Sequence, residues 1–239
     1  MLRLEDIDAT RCRPEYAAAT MEDLQWLGLR WHGGVRVQSQ HLPEYTRVLD
    51  DLRARGLLYP CFCSRAEIAA SVAAPHGPDG APLYSGNCRG LDASLAADRI
   101  AAGASHGWRL DMTKALRATS RHMSYEELEQ GTVDCNPAAW GDVVLARKDV
   151  PTSYHLCVTH DDALQGVDLV TRGADLQRAT DVHRLLQELM GWPAPRYAHH
   201  RLVLGADGRR LAKRDRAQTI RELRENGSTA QDVLKMLEI

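Results

Sequence analysis

Residues 167–191 read VDLVTRGADLQRATDVHRLLQELMG, and this stretch decides the fold class. Val167 to Thr171 is a short apolar run of the kind carried by a strand buried on both faces of a parallel sheet. After the turn Arg172-Gly173-Ala174-Asp175, Val182, Leu185, Leu186 and Leu189 recur at helical spacing, and Gly191 closes the pattern where a helix end favours glycine. A strand, a turn and a helix in that order make half of a βαβ unit, so the predicted class is α/β. Such sheets bind ligands at the carboxyl ends of their strands, which places Arg172 at an expected site. A guanidinium there suits bidentate capture of a carboxylate, although pairing with Asp175 is equally open.

Working outward, Arg201–Leu204 reads as a further strand that leads through the turn Ala206-Asp207-Gly208 into a basic run with Arg209, Arg210, Lys213, Arg214 and Arg216. That run could neutralise charge developing on a phosphate, or be a solvated face. Helices close the chain, the last introduced by Ser228-x-x-Gln231. Upstream, strand patterns cover Trp108 to Asp111, Asp142 to Ala146 and Tyr154 to Thr159, with a polar stretch to about Asn136 that carries no clear period. Helical stripes follow Pro14 and Pro43 and stop at Gly28 and Gly56. A strand over Leu57 to Cys63 precedes Ser64-x-x-Glu67, a capping box, and a helix is expected from about Ala93 to Ala102. Leu2, Leu4 and Ile7 alternate with charged residues as a strand end does, with no segment before it to pair with.

Composition narrows the function classes. The 239 residues are 44% apolar and 26% charged, with one phenylalanine, Phe62, so the core leans on Leu, Val and Ala. The net charge of −2 offers no bulk basic field, and a polyanion would need a local patch. With no run of about 18 apolar residues and charge within the first three positions, neither a membrane span nor a secretory leader is expected, and the chain reads as cytoplasmic. Six cysteines in a cytosolic chain point to metal or burial rather than disulfides. Cys12, Cys135 and Cys157 are isolated and read as buried hydrophobes. Cys61-x-Cys63 and Cys88 flank a Gly/Pro-rich loop, Ala73 to Gly90, that has no core of its own and that zinc could staple. His76, Asp79 and Tyr84 are the candidates for a fourth ligand, with His76 the default on general chemistry.

In combination the motifs LRLEDID (2–8), Gln38-Ser39-Gln40, Tyr154-His155-Leu156, Arg172-Gly173-Ala174-Asp175-Leu176 and LGADGRRLAKR (204–214) resemble the class I aminoacyl-tRNA synthetases of the glutamyl type. The resemblance runs in family order from residue 2 to about residue 220. It implies a Rossmann-type catalytic core with an inserted zinc-stapled subdomain and C-terminal helices. The parts are residues 1–56, the insertion 57–140, a second half 141–205, and a signature loop with helices 206–239. Only 25 residues follow Arg214, too few for the family's helical anticodon-binding domain. That implies the short branch, which acts on tRNA(Asp) bearing queuosine. By the same resemblance the catalytic core is expected to be N-terminally incomplete, lacking the family's opening strand-loop-helix with its HIGH-type motif, roughly 40 residues.

By the same resemblance, Glu5, Tyr154 and Arg172 fall at glutamate-binding positions and are expected to converge at one sheet edge. Lys213 falls at the second lysine of the class I signature loop, binding ATP and stabilising the pyrophosphate leaving group. Arg210 and Ala212 stand where that signature has a lysine and a serine. Cys61, Cys63, Tyr84 and Cys88 match the family's zinc ligands, with His76 the competitor to Tyr84. L-glutamate, ATP with Mg²⁺ and the tRNA are the implied partners of a monomer. The rival from another class is a non-catalytic, zinc-stapled RNA- or glutamate-binding protein.

Overall fold

The computed structural model describes residues 1–69, 76–120, 122–204 and 219–237. Its elements run β1 (Arg3–Leu4), α1 (Pro14–Trp26), β2 (Arg36–Val37), α2 (Leu42–Ala54), β3 (Leu58–Cys61), α3 (Arg65–Ala69), α4 (Ala93–Ala101), β4 (Gly107–Leu110) and α5 (Met112–Arg117). There follow β5 (Ser124–Glu127), β6 (Gly131–Asp134), β7 (Val144–Ala146), α6 (Tyr154–Leu164), β8 (Leu169–Gly173), α7 (Thr180–Met190), β9 (Arg196–His200), α8 (Ile220–Glu225) and α9 (Ala230–Met236). They divide into two compact units, Met1–Ser39 with Arg201–Ile239, and Gln40–His200. No described helix is long and apolar enough to cross a membrane.

In the first unit β1 finds a partner downstream, pairing in parallel with β2 through Arg3↔Arg36 and Leu4↔Val37. The Asp6 carboxylate fixes the turn after β2 by accepting from the Ser39 amide (2.9 Å) and hydroxyl (2.6 Å). Glu22 on α1 takes Arg221 and Arg224 of α8 at 3.2 and 2.8 Å. The last helix starts one residue later than Ser228-x-x-Gln231 implies. Thr229 accepts from the Asp232 amide, and Asp232 accepts from the Thr229 amide, closing a capping box there.

The second unit holds the α/β core. β8, α7 and β9 form the expected βαβ unit, with β8 and β9 parallel from Leu169↔Arg196 to Gly173↔His200. The sheet order is β6-β5-β9-β8, with β5 parallel to β9 and antiparallel to β6. The stripe Val182, Leu185, Leu186 and Leu189 of α7 is buried, each side chain contributing about 1.5–3 kcal/mol of transfer free energy. Gly191 ends the helix at φ 66°.

Two strand assignments are corrected. Tyr154 to Thr159 is the start of helix α6, because Ser153 caps it by accepting from the Leu156 amide, and a short apolar run buried all round carries no period that separates strand from helix. The strand expected at Arg201–Leu204 lies earlier, at Arg196–His200. Its register is set by pairing with β8, and its Arg, Tyr and His residues give no apolar alternation.

A smaller antiparallel sheet, β3-β4-β7, carries the cysteine segment. Gly107 must be glycine here, since a Cβ would lie 2.7 Å from the Ala146 carbonyl oxygen across the β4–β7 contact. The buried Asp142 carboxylate is its polar hub, accepting from the Tyr59 hydroxyl, from Arg89 Nε (2.6 Å) and from the Met112 amide (3.0 Å). The capping box at Ser64 and Glu67 forms as its spacing predicts, with bonds of 2.6 and 3.1 Å.

Candidate functional site

Arg172 stands on β8 at the carboxyl end of the parallel sheet, half-buried. Its guanidinium donates to three acceptors: Nε to His199 Nε2 (3.1 Å), Nη1 to His183 Nδ1 (2.9 Å) and Nη2 to the Thr180 hydroxyl (2.6 Å). It also lies 5.2 Å above the Tyr197 ring. Asp175, the alternative partner read from the sequence, is not among these acceptors. Guanidinium never accepts a hydrogen bond, so both histidines must turn a lone pair toward it. His183 therefore carries its proton on Nε2 and gives it to His155 Nδ1 at 3.1 Å. His199 carries its proton on Nδ1 and gives it to the buried Glu127 carboxylate at 2.5 Å, whose other oxygen accepts from the His199 amide at 3.0 Å.

Burial, reinforced by the Arg172 charge, holds the His183 ring well below the usual imidazole range and pushes His155 down to about 4. Burial also lowers His199, outweighing the opposing pull of Glu127. Neutral rings are what the hydrogen-bond directions require. Five N–H groups belong to the guanidinium and three are committed, so two remain for a ligand.

Tyr154, at the first turn of α6, lies with its ring 5.9 Å from His183 and 5.6 Å from His155. The structure thus brings Tyr154 and Arg172 to one place, around His183. Glu5 follows β1 in the other unit, with its carboxylate 3.4 Å from Arg3 Nε. Lys213, like Arg210, Ala212 and Arg214, lies outside the described residues. His155, His183, His199 and Glu127 are site residues that the sequence reading did not single out, although His155 lies inside the Tyr154-His155-Leu156 motif. No spacing signals them, because they come from four elements that only the sheet and its helices bring together.

The cysteine cluster is the second constellation. The metal-binding atoms of Cys61, Cys63 and Cys88 lie within 4.8 Å of one another, and Cys63 Sγ is 3.5 Å from Cys88 Sγ and 3.4 Å from Tyr84 Oη. Zinc–sulfur bonds of about 2.3 Å imply a tetrahedron edge of about 3.8 Å, so three thiolates and a phenol oxygen at these separations fit one zinc ion. His76 is exposed, bridges Pro82 through its backbone, and does not join the cluster. Phe62 and Ile68, both half-buried, pack against the cysteines. Arg109 lies 3.9 Å over the Tyr84 ring and donates to the Asp142 carbonyl at 2.7 Å, which anchors the tyrosine to the sheet.

A parallel βαβ core with an arginine at the strand end, and an antiparallel cysteine-bearing sheet beside it in sequence, are the parts of a class I synthetase catalytic domain. The whole chain, residues 1–239, matches the family of class I tRNA synthetases (E and Q), catalytic domain, and belongs to it. Among its relatives, the glutamyl-Q tRNA(Asp) synthetase of Rhodobacter capsulatus is 41% identical over 99% of this chain and 87% of that protein. The glutamate–tRNA ligase 2 of Acidithiobacillus ferrooxidans is 36% identical over 96% of this chain and 48% of that protein. The crystal structure of glutamate-tRNA synthetase from Elizabethkingia anophelis superposes with a TM-score of 0.72 at 26% identity, covering 90% of this chain. This chain spans about half of that structure, 46% of its length.

Proposed function

We propose that this chain serves the activation of glutamate by ATP and the transfer of the glutamyl group to the queuosine base of tRNA(Asp). The single observation that carries the reading is the Arg172 guanidinium, held at the sheet's carboxyl end with two N–H groups uncommitted, in a chain whose relatives are synthetases of this kind. In the reaction a glutamate carboxylate oxygen attacks the α-phosphate of ATP, pyrophosphate leaves, and glutamyl-adenylate forms. Arg172 binds a carboxylate of glutamate, the Tyr154 hydroxyl hydrogen-bonds the bound amino acid, and Glu5 takes its ammonium. Lys213 balances charge on the departing pyrophosphate. The work is positioning and charge stabilisation, with no covalent enzyme nucleophile. Mg²⁺ accompanies ATP as in other phosphate chemistry. Cys61, Cys63, Cys88 and Tyr84 hold one structural zinc ion, which orders the insertion 57–140 of a monomer.

The test is glutamate-dependent exchange of pyrophosphate into ATP, followed by glutamylation of tRNA(Asp) with and without queuosine. Exchange with glutamate and transfer only to the queuosine-bearing tRNA is the expected result. Charging of tRNA(Glu) instead would assign the activity of the glutamate–tRNA ligases. Replacing Arg172 with alanine should weaken glutamate binding by about 2–5 kcal/mol, the cost of unpairing a desolvated charge pair. Unchanged affinity removes Arg172 from the site.

A further inference from the structure

We infer that His183 is a positioning residue that aims Arg172 at a ligand with two acceptor atoms, and so sets the choice of a carboxylate over a carboxamide. The inference rests on the reading that Arg172 binds a carboxylate of glutamate, takes that carboxylate to be the side-chain one, and goes beyond it to the residues that make the arginine selective. Three of the guanidinium's N–H groups end on Thr180, His183 and His199, whose accepting atoms lie 2.6–3.1 Å away. These three fix the plane of the fork, and the two remaining N–H groups are fixed with it. Both are donors. A carboxylate offers each an acceptor, whereas a carboxamide must turn its NH₂ toward one of them.

The selectivity lasts only while His183 keeps its lone pair on Nδ1. His155 secures this by accepting the His183 Nε2 proton at 3.1 Å. Were His183 to hold its proton on Nδ1, that N–H would face Arg172 Nη1, and the guanidinium would be pushed out of its plane. His199 is held the same way from the other side, by Glu127. The arginine therefore sits between two imidazoles of fixed tautomer, His183 anchored by another ring and His199 by a buried carboxylate.

The experiment compares binding of two non-hydrolysable adenylates, one glutamyl and one glutaminyl, to the full chain by calorimetry. His183→Leu removes the acceptor, and His183→Asn keeps one, because its Oδ1 can occupy the place of Nδ1. The expected result for His183→Leu is a loss of about tenfold or more for the glutamyl compound, with little change for the glutaminyl one. His183→Asn should restore most of the glutamyl affinity. Thr180→Val removes a different acceptor of the same fork and should act in the same direction, which keeps the test intact if His183→Leu does not fold. Nitrogen NMR of the imidazole rings should show His183 neutral and protonated on Nε2.

Equal losses for both compounds, no loss in either His183→Leu or Thr180→Val, or a His183 proton on Nδ1 would overturn the inference. The underlying reading fails separately: Arg172→Ala with undiminished glutamyl affinity defeats it. Weak binding by Arg172→Ala beside normal binding by His183→Leu and Thr180→Val defeats the positioning role alone.

Discussion

Replacing Glu127 with glutamine tests the buried network at its most constrained point. Glu127 is 2% exposed, and its two oxygens accept from His199 Nδ1 and the His199 amide. Glutamine has one oxygen and one NH₂ in their place. If its oxygen takes the Nδ1 proton, its NH₂ faces the backbone N–H. If its oxygen takes the backbone N–H, its NH₂ faces Nδ1, and His199 must move its proton to Nε2, where it meets Arg172 Nε at 3.1 Å. Every arrangement leaves one buried donor against another. Such an unsatisfied group costs about 1–3 kcal/mol, and about 2–4 °C of melting temperature accompanies each kcal/mol in a unit of this size. The expected loss is therefore about 1–3 kcal/mol in urea unfolding, or about 2–12 °C. Circular dichroism of both proteins in urea measures it. A variant within about 0.5 kcal/mol of the wild type, the ordinary scatter of a neutral surface change, would refute the assigned tautomers and the network built on them.

The remaining predictions concern acid, metal and the second polar hub. His155 is pushed down to about 4 and His183 also lies below its ordinary value, so between about pH 6.5 and pH 4 the unfolded chain binds more protons than the folded one. Stability should fall on acidification through that window, by up to about 3 kcal/mol from His155. A His155→Asn variant should lose less, and a wild-type urea midpoint equal at pH 7 and pH 4.5 would count against the effect. Cys61→Ser should abolish binding of one zinc per chain, read by elemental mass spectrometry. It should also speed proteolysis of the 76–90 segment, and wild-type protein purified without zinc and unable to take it up would end the claim. Asp142→Asn places an amide NH₂ among the donors of Tyr59, Arg89 and Met112. It should cost about 3–5 kcal/mol, and a calorimetric melting temperature equal to that of the wild type would show the hub to be dispensable.

The βαβ element was legible in residues 167–191 because a run of apolar residues and an amphipathic helix write different periods, and a glycine marks their end; the strand is not buried on both faces as that run implies, since β8 is the half-exposed edge strand of its sheet. The cysteine segment was legible for a chemical reason: few residue types besides cysteine bind zinc tightly, so their spacing carries information in the bare chain. Arg172 was singled out because a strand end in an α/β sheet is a place for ligands whatever the residues are, and β8 carries it at that end. Helix α6 was misread since four successive buried residues, Leu156 to Thr159, show no period that distinguishes helix from strand. Strand β9 was displaced because Arg196, Tyr197, His199 and His200 are not the residues by which a strand announces itself.

A local pattern of residues was enough for the α/β class, for the cysteine cluster and for an arginine at the carboxyl end of a strand. Only the tertiary structure decided what surrounds that arginine. Glu127, His155, His183 and His199 lie on β5, α6, α7 and β9, and no local period links them. They act as one network because the sheet register sets His199 opposite Arg172 and the α6 and α7 helices bring His155 and His183 within 3.1 Å. Hydrogen-bond direction, which fixes each ring's proton, exists only once those distances do.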